Sequence, residues 1–156
     1  MAVKTTYRFT ETNDVSIHTN LFYRSFDSEW LTIATDGKIT VKGSNNKGYA
    51  WDGFSPKKNI LDICVGTPDG KTVEPHHLPI TYFASMFHDC IYQYKKKVPI
   101  SRHECDLLFL SMLHQQGFYW SDLYYSFVRV FGWYYGNWQK KTTGSTVKVK
   151  GLPERN

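Results

Sequence analysis

The stretch FHDCIYQYKKKVPISRHECD, from Phe87 to Asp106, holds a helix end, a turn and a helix start. Upstream, in LPITYFASMFHDCIYQY, apolar or aromatic residues recur at Tyr82, Phe83, Met86, Phe87, Ile91 and Tyr94, a helical period. Lys95, Lys96 and Lys97 suit the C-terminal end of that helix, where cations complement the helix dipole. Ser101 and Glu104 form an S-x-x-E capping box, in which each side chain satisfies a backbone donor left over at a helix start. The apolar face of the second helix runs through Leu107, Leu108, Leu110, Met112 and Leu113, and Gly117 stops it. A third helix, SDLYYSFVRVFGWYY, follows with Ser121 as its cap. The short connection predicts that the first two helices pack antiparallel.

Before Pro79 the pattern changes to strands. EWLTIAT and KITVKG flank Asp36-Gly37, the signal for a two-residue hairpin turn with positive φ at both positions. YRFTE and LFYRSF alternate well enough to add strands. GYAWDGFSP then closes the sheet region as a loop, and NILDICVG reads as a short strand before the turn TPDGKT. The end, TTGSTVKVKGLPERN, holds one candidate edge strand and is otherwise basic and flexible. The expected fold is α+β: a small antiparallel N-terminal sheet packed on a three-helix C-terminal half. A single domain is expected over residues 1–141, with a basic flexible tail over 142–156.

Composition narrows the class. The chain has 156 residues, enough to close one core, and its 41% apolar content excludes a disordered segment. The net charge of +5 is concentrated at Lys95–Lys97 and at Lys140, Lys141, Lys148, Lys150 and Arg155. These read as a solvated turn and tail, with an anionic phosphate or membrane surface as the second reading and no specific nucleic acid expected. Cys64, Cys90 and Cys105 are odd in number and lack C-x-x-C spacing, which argues against a zinc ribbon or disulfide framework and for buried thiols in a reducing compartment. MAVKTTYRFTETND carries no apolar run of the kind a signal peptide needs. No transmembrane segment is expected: LYYSFVRVFGWYYGNW comes nearest, and Arg129 and two glycines interrupt it. His76, His77, His103 and His114 read as surface residues, and the aromatic run Trp120–Trp138 as core.

His88 lies in the first helix with Tyr92 one turn on, and Asp106 lies early in the second with Arg102 one turn before it. In an antiparallel pair these four converge. A histidine bonded to a buried carboxylate is the working unit of base catalysis, because the carboxylate fixes the tautomer and stabilises the imidazolium. Asp89 points about 100° away around the helix. Its expected partner is a cation held by a neighbouring loop, for which YAWDGFSP is the candidate: its Asp52, Ser55 and carbonyls are hard oxygen ligands suited to calcium or magnesium. The alternative is a buried polar network that only fixes helix register.

HDCIY and RHECDLLF resemble the two helical segments of the secreted phospholipase A2 enzymes. That resemblance implies His88 as the base that activates a water, Asp89 as a calcium ligand, Asp106 as the orienting carboxylate and Tyr92 as its support. A second resemblance, to a family of small proteins from tailed bacteriophages and prophages, covers residues 48–136. That family runs through a G-F-x-T-D-x-x-S-x-P loop, an A-x-x-H-D-x-x-Y helix, an R-x-x-x-D-x-x-F helix and an aromatic-flanked F-G. WDGFSP, ASMFHDCIYQY, SRHECDLLFLSML and YYSFVRVFGWYYG stand here in the same order. It implies a phage origin and one site built from Asp52, His88, Asp89, Arg102 and Asp106, with Ser55 and Arg102 as structural support. The expected function is a phage-encoded hydrolase with a His–Asp pair, working with or without calcium or another divalent cation on an ester or lipid-like envelope substrate. A virion or tail-associated structural or interaction protein is the alternative, and an inhibitor of a host protein a third reading. Phage structural proteins or a lipid surface are the expected partners. The expected location is the host cytoplasm during synthesis, with incorporation in the virion.

Overall fold

Val15 and Ile17 alternate with polar residues in Asp14–Thr19, and that strand lies inside the sheet, paired on both sides. The computed structural model describes residues 9–45, 47–51, 72–73, 78–79, 81–134, 138 and 146–156. In chain order the elements are β1 (Phe9–Glu11), β2 (Asp14–Thr19), β3 (Phe26–Asp27), β4 (Leu31–Ile33), β5 (Lys38–Lys42), β6 (Tyr49–Trp51), β7 (Thr72–Val73) and β8 (Leu78–Pro79). Then come α1 (Tyr82–Gln93), α2 (Arg102–Gln115), α3 (Ser121–Tyr134) and β9 (Val149–Arg155). Five strands form an antiparallel sheet in the order β3-β4-β5-β2-β9, and β1–β6 and β7–β8 form separate two-stranded ladders. The fold is α+β, with the sheet in the N-terminal half and three helices in the C-terminal half, as the sequence predicts.

The β4–β5 hairpin pairs Ile33 with Ile39. Its turn differs from the expected one. Only Gly37 takes positive φ, at +86°, while Gly37 N–H donates to the Ala34 carbonyl and Ala34 N–H to the Lys38 carbonyl. This is a three-residue loop closed by a left-handed glycine, one residue longer than the expected two-residue form. A side chain at Gly37 would place Cβ 2.3 Å from the Thr19 carbonyl oxygen, so the site admits only glycine.

Val15, Ile17, Leu31, Ile33, Ile39 and Val41 are buried from the sheet. They share one core with Met86, Phe87, Cys90 and Ile91 of α1 and Cys105, Leu108, Phe109, Met112 and Leu113 of α2. Each such side chain contributes about 1.5–3 kcal/mol on leaving water. On α2 the buried stripe is therefore shifted from the expected face, with Leu107 and Leu110 half-buried. The capping box of Ser101 and Glu104 is formed in both directions. At the other end Gly117 has φ +68°, Phe118 N–H reaches the Leu113 carbonyl and Gly117 N–H the His114 carbonyl, which is the Schellman arrangement. Ser121 does not cap α3: its hydroxyl donates to the Phe118 carbonyl, and the Trp120 carbonyl accepts the first helical bond from Tyr124.

Two sequence expectations change. LFYRSF is not a strand before Phe26, because Tyr23 sits at φ +62° and turns the chain so that Arg24 reaches Glu104. There Arg24 grips the fully buried Glu104 carboxylate at 2.6 and 2.7 Å. GYAW is not loop: Tyr49–Trp51 pairs with β1. The edge strand expected in the basic tail is β9, which pairs with β2 at the edge of the sheet from Val149 to Arg155. The second helix holds Val149 at both backbone groups: the Ser111 hydroxyl accepts from the Val149 N–H at 3.0 Å, while Gln115 donates to the Val149 carbonyl. At the far end Arg155 donates at 2.6 Å to Glu11, a carboxylate only 2% exposed. NILDICVG, TPDGKT, His76 and His77 lie wholly or partly outside the described residues. Among those residues, no helix is long and apolar enough to cross a membrane.

Candidate functional site

The helical repeat stacks His88 under Tyr92 on one face of α1, with ring centroids 4.3 Å apart. Asp106 enters from the second turn of α2 and is fully buried. Its Oδ1 accepts from His88 Nε2 at 2.9 Å and from the Tyr92 hydroxyl at 2.8 Å. Its Oδ2 accepts from Arg129 Nη1 of α3 at 2.9 Å. A carboxylate out of water is costly unless charged or polar donors replace the lost hydration, and three donors from two other helices do so here.

The bond to Asp106 fixes the histidine. A carboxylate only accepts, so Nε2 carries the hydrogen and Nδ1 is the nitrogen left with a lone pair. Nδ1 lies 3.8 Å from Asp89 Oδ1. The His88 side chain is 10% exposed and that of Asp89 36%, so the ring is almost enclosed and its neighbour borders solvent. Burial alone would weaken the base. The hydrogen bonds and negative charges of Asp106 and Asp89 outweigh it, and His88 holds a proton more tightly than an ordinary histidine. Burial, with the nearby Cys105 and Asp106, pushes the Tyr92 hydroxyl far up, so it stays a donor. Cys105 is likewise raised by burial, and Cys90 is pushed up to about 12. Both are free, buried thiols, as expected, and neither is a thiolate near neutrality. The Phe109 ring lies 5.1 Å from His88 and Trp138 4.7 Å from Tyr92, which makes the surroundings apolar.

His88, Tyr92 and Asp106 are thus brought together, and Asp89 stands beside the second ring nitrogen. Arg102 bears on the network through its charge on the Tyr92 hydroxyl, and the guanidinium seated on Asp106 is that of Arg129. Arg129 is the residue that sequence reasoning missed. Its signal was its place in the apolar run of α3, since an arginine there requires an acidic partner. Cys64, Asp52 and Ser55 lie outside the described residues. Among the described residues no group of three or more His, Cys, Asp or Glu side chains is arranged to hold a metal ion. Calcium takes six to eight oxygens, and Asp89 alone does not make such a site. His114 is exposed, 3.5 Å from Asp122. No family model, curated protein or solved structure matches the chain.

Proposed function

We propose that this chain is a phage-encoded hydrolase of an ester or lipid-like envelope substrate, with His88 as its general base. One observation carries the reading: Nε2 is committed to a buried carboxylate, which leaves Nδ1, next to half-exposed Asp89, to take a proton. In the reaction His88 Nδ1 removes a proton from water as the water oxygen bonds to the ester carbonyl carbon. The tetrahedral intermediate then expels the alcohol oxygen, which receives that proton from Nδ1, and acid and alcohol leave. Asp106 holds the ring and offsets the charge of the imidazolium. The resemblances support the phage origin and the ester substrate. The phospholipase resemblance also makes Asp89 a calcium ligand, and the oxygen-rich YAWDGFSP loop would add Asp52 for calcium or another divalent cation.

The test is acid release from phospholipid vesicles and from short-chain esters, with and without calcium. Wild type is expected to turn over at least one class, and H88A to lose about 100-fold or more while keeping its far-UV dichroism. Failure of wild type on every ester, calcium present or absent, would sink the hydrolase reading. A second reading, a virion or tail-associated structural protein, is favoured by a specific observation. Among the described residues no buried side-chain polar atom lacks a partner, so the cluster also suits a staple between helices. In that case H88A lowers stability and removes no activity, and phage structural proteins become the partners to seek.

A further inference from the structure

Asp106 has two oxygens and they are used unequally. Oδ1 serves His88 and Tyr92, both from α1, while Oδ2 serves Arg129 from α3. The Arg129 side chain is 31% exposed, Asp106 is fully buried, and a single nitrogen, Nη1, makes the contact. Without that donor Oδ2 would be a buried carboxylate oxygen with no partner among the described residues. The carboxylate would then turn about its own axis and carry Oδ1 out of line with Nε2, which releases the imidazole from its one fixed orientation.

We infer that Arg129 is a positioning residue of the His88 site: by occupying Oδ2 it turns Oδ1 toward α1 and so locks His88 as the Nε2–H tautomer, with Nδ1 as the base. The inference about the tautomer stands on the geometry alone, and its effect on turnover rests on the proposed hydrolase reading. It makes α3 part of the working machinery, since the third helix brings the residue that aims the base. The charged groups around the ring are Asp89 from α1, Asp106 and Arg102 from α2, and Arg129 from α3. Among the described residues, only Arg129 pairs with the second oxygen of Asp106.

The test compares wild type, R129Q and R129K in the full chain. The imidazole 15N shifts of His88 at a pH where the ring is neutral report the tautomer directly, with or without turnover. Wild type is expected to show one Nε2–H form and R129Q a mixture. If an ester is hydrolysed, R129Q is expected to lose about 10–100-fold in kcat, the size typical of an outer partner of a functional group, with KM within about twofold. R129K is expected to restore both readouts, because a point donor suffices where only Nη1 makes contact. A single Nε2–H form in R129Q overturns the inference. So does a mixed tautomer in R129K, which decides the matter if R129Q does not fold. If no ester is turned over yet R129Q mixes the tautomers, the hydrolase reading fails and the positioning role of Arg129 stands.

Discussion

Asp106 and Glu11 are both carboxylates taken out of water, and each is answered by an arginine and a tyrosine. Glu11 accepts from Arg155 at 2.6 Å, from the Tyr82 hydroxyl at 3.1 Å and, at its other oxygen, from the backbone and side-chain nitrogens of Asn13. Asp106 accepts from Arg129, Tyr92 and His88. Where Glu11 has an asparagine and a backbone amide, Asp106 has an imidazole. The donors on Glu11 are consumed by the bond, and nothing around it changes protonation near neutrality. The donor on Asp106 keeps a second nitrogen for other work. A buried carboxylate by itself therefore says little about chemistry, and the identity of its third partner says much.

The largest expected difference between the two clusters is in stability. Asp106→Ala strands the enclosed His88 ring, 10% exposed, together with the Tyr92 hydroxyl, and should cost about 3–5 kcal/mol. Glu11→Ala leaves Arg155, which is 30% exposed and can turn to water, and should cost about 1–3 kcal/mol. Urea midpoints at constant m-value check both, and equal losses would dissolve the distinction. The paired tyrosines give a smaller contrast. Tyr92→Phe removes a 2.8 Å bond to a fully buried carboxylate and should cost about 2 kcal/mol, against about 1 kcal/mol for Tyr82→Phe at 3.1 Å.

The smallest effect is the pH dependence, and it has opposite signs at the two sites. Burial raises the Glu11 carboxyl, but the Asn13 and Arg155 bonds outweigh it and hold the group below the usual range. Its contribution is present above the ordinary carboxylate value and is lost as pH falls toward the folded one. Glu11→Gln should flatten that acid decline. His88 is raised in the folded state, so its contribution is complete below the ordinary histidine value of about 6.5 and is lost as pH rises through the folded value. His88→Asn should remove the decline on that side. Chemical denaturation over a pH series measures both slopes.

The helices and the centre of the site were legible because their signals are local. A 3.6-residue period, a capping box and a short turn suffice to bring His88, Tyr92 and Asp106 together. Arg129 was visible only as an interruption of an apolar run, since nothing local fixes the rotation of α3 against α2. Strand β2 was hidden because Val15 and Ile17 are its only strongly apolar side chains and Asn13-Asp14 imitate a turn. The bond between Arg155 and Glu11 joins residues 144 positions apart, and no short pattern encodes such a pairing. The Tyr49–Trp51 strand was masked by the glycine, aspartate and proline that surround it, although its aromatic pair stacks at 5.9 Å in the core.

The pairing of β9 with β2 sets the order in which the molecule is finished. Asn20 bonds to the Thr146 carbonyl across a separation of 126 positions, and β9 begins just beyond. During synthesis β2 waits with one edge open, and Glu11 waits without its cation, until residues 149–155 leave the ribosome. Closing so long a loop is slow because its entropy is lost before the contacts form. A nascent chain arrested before residue 149 should therefore hold its helices together while its sheet stays open to protease and to other strands.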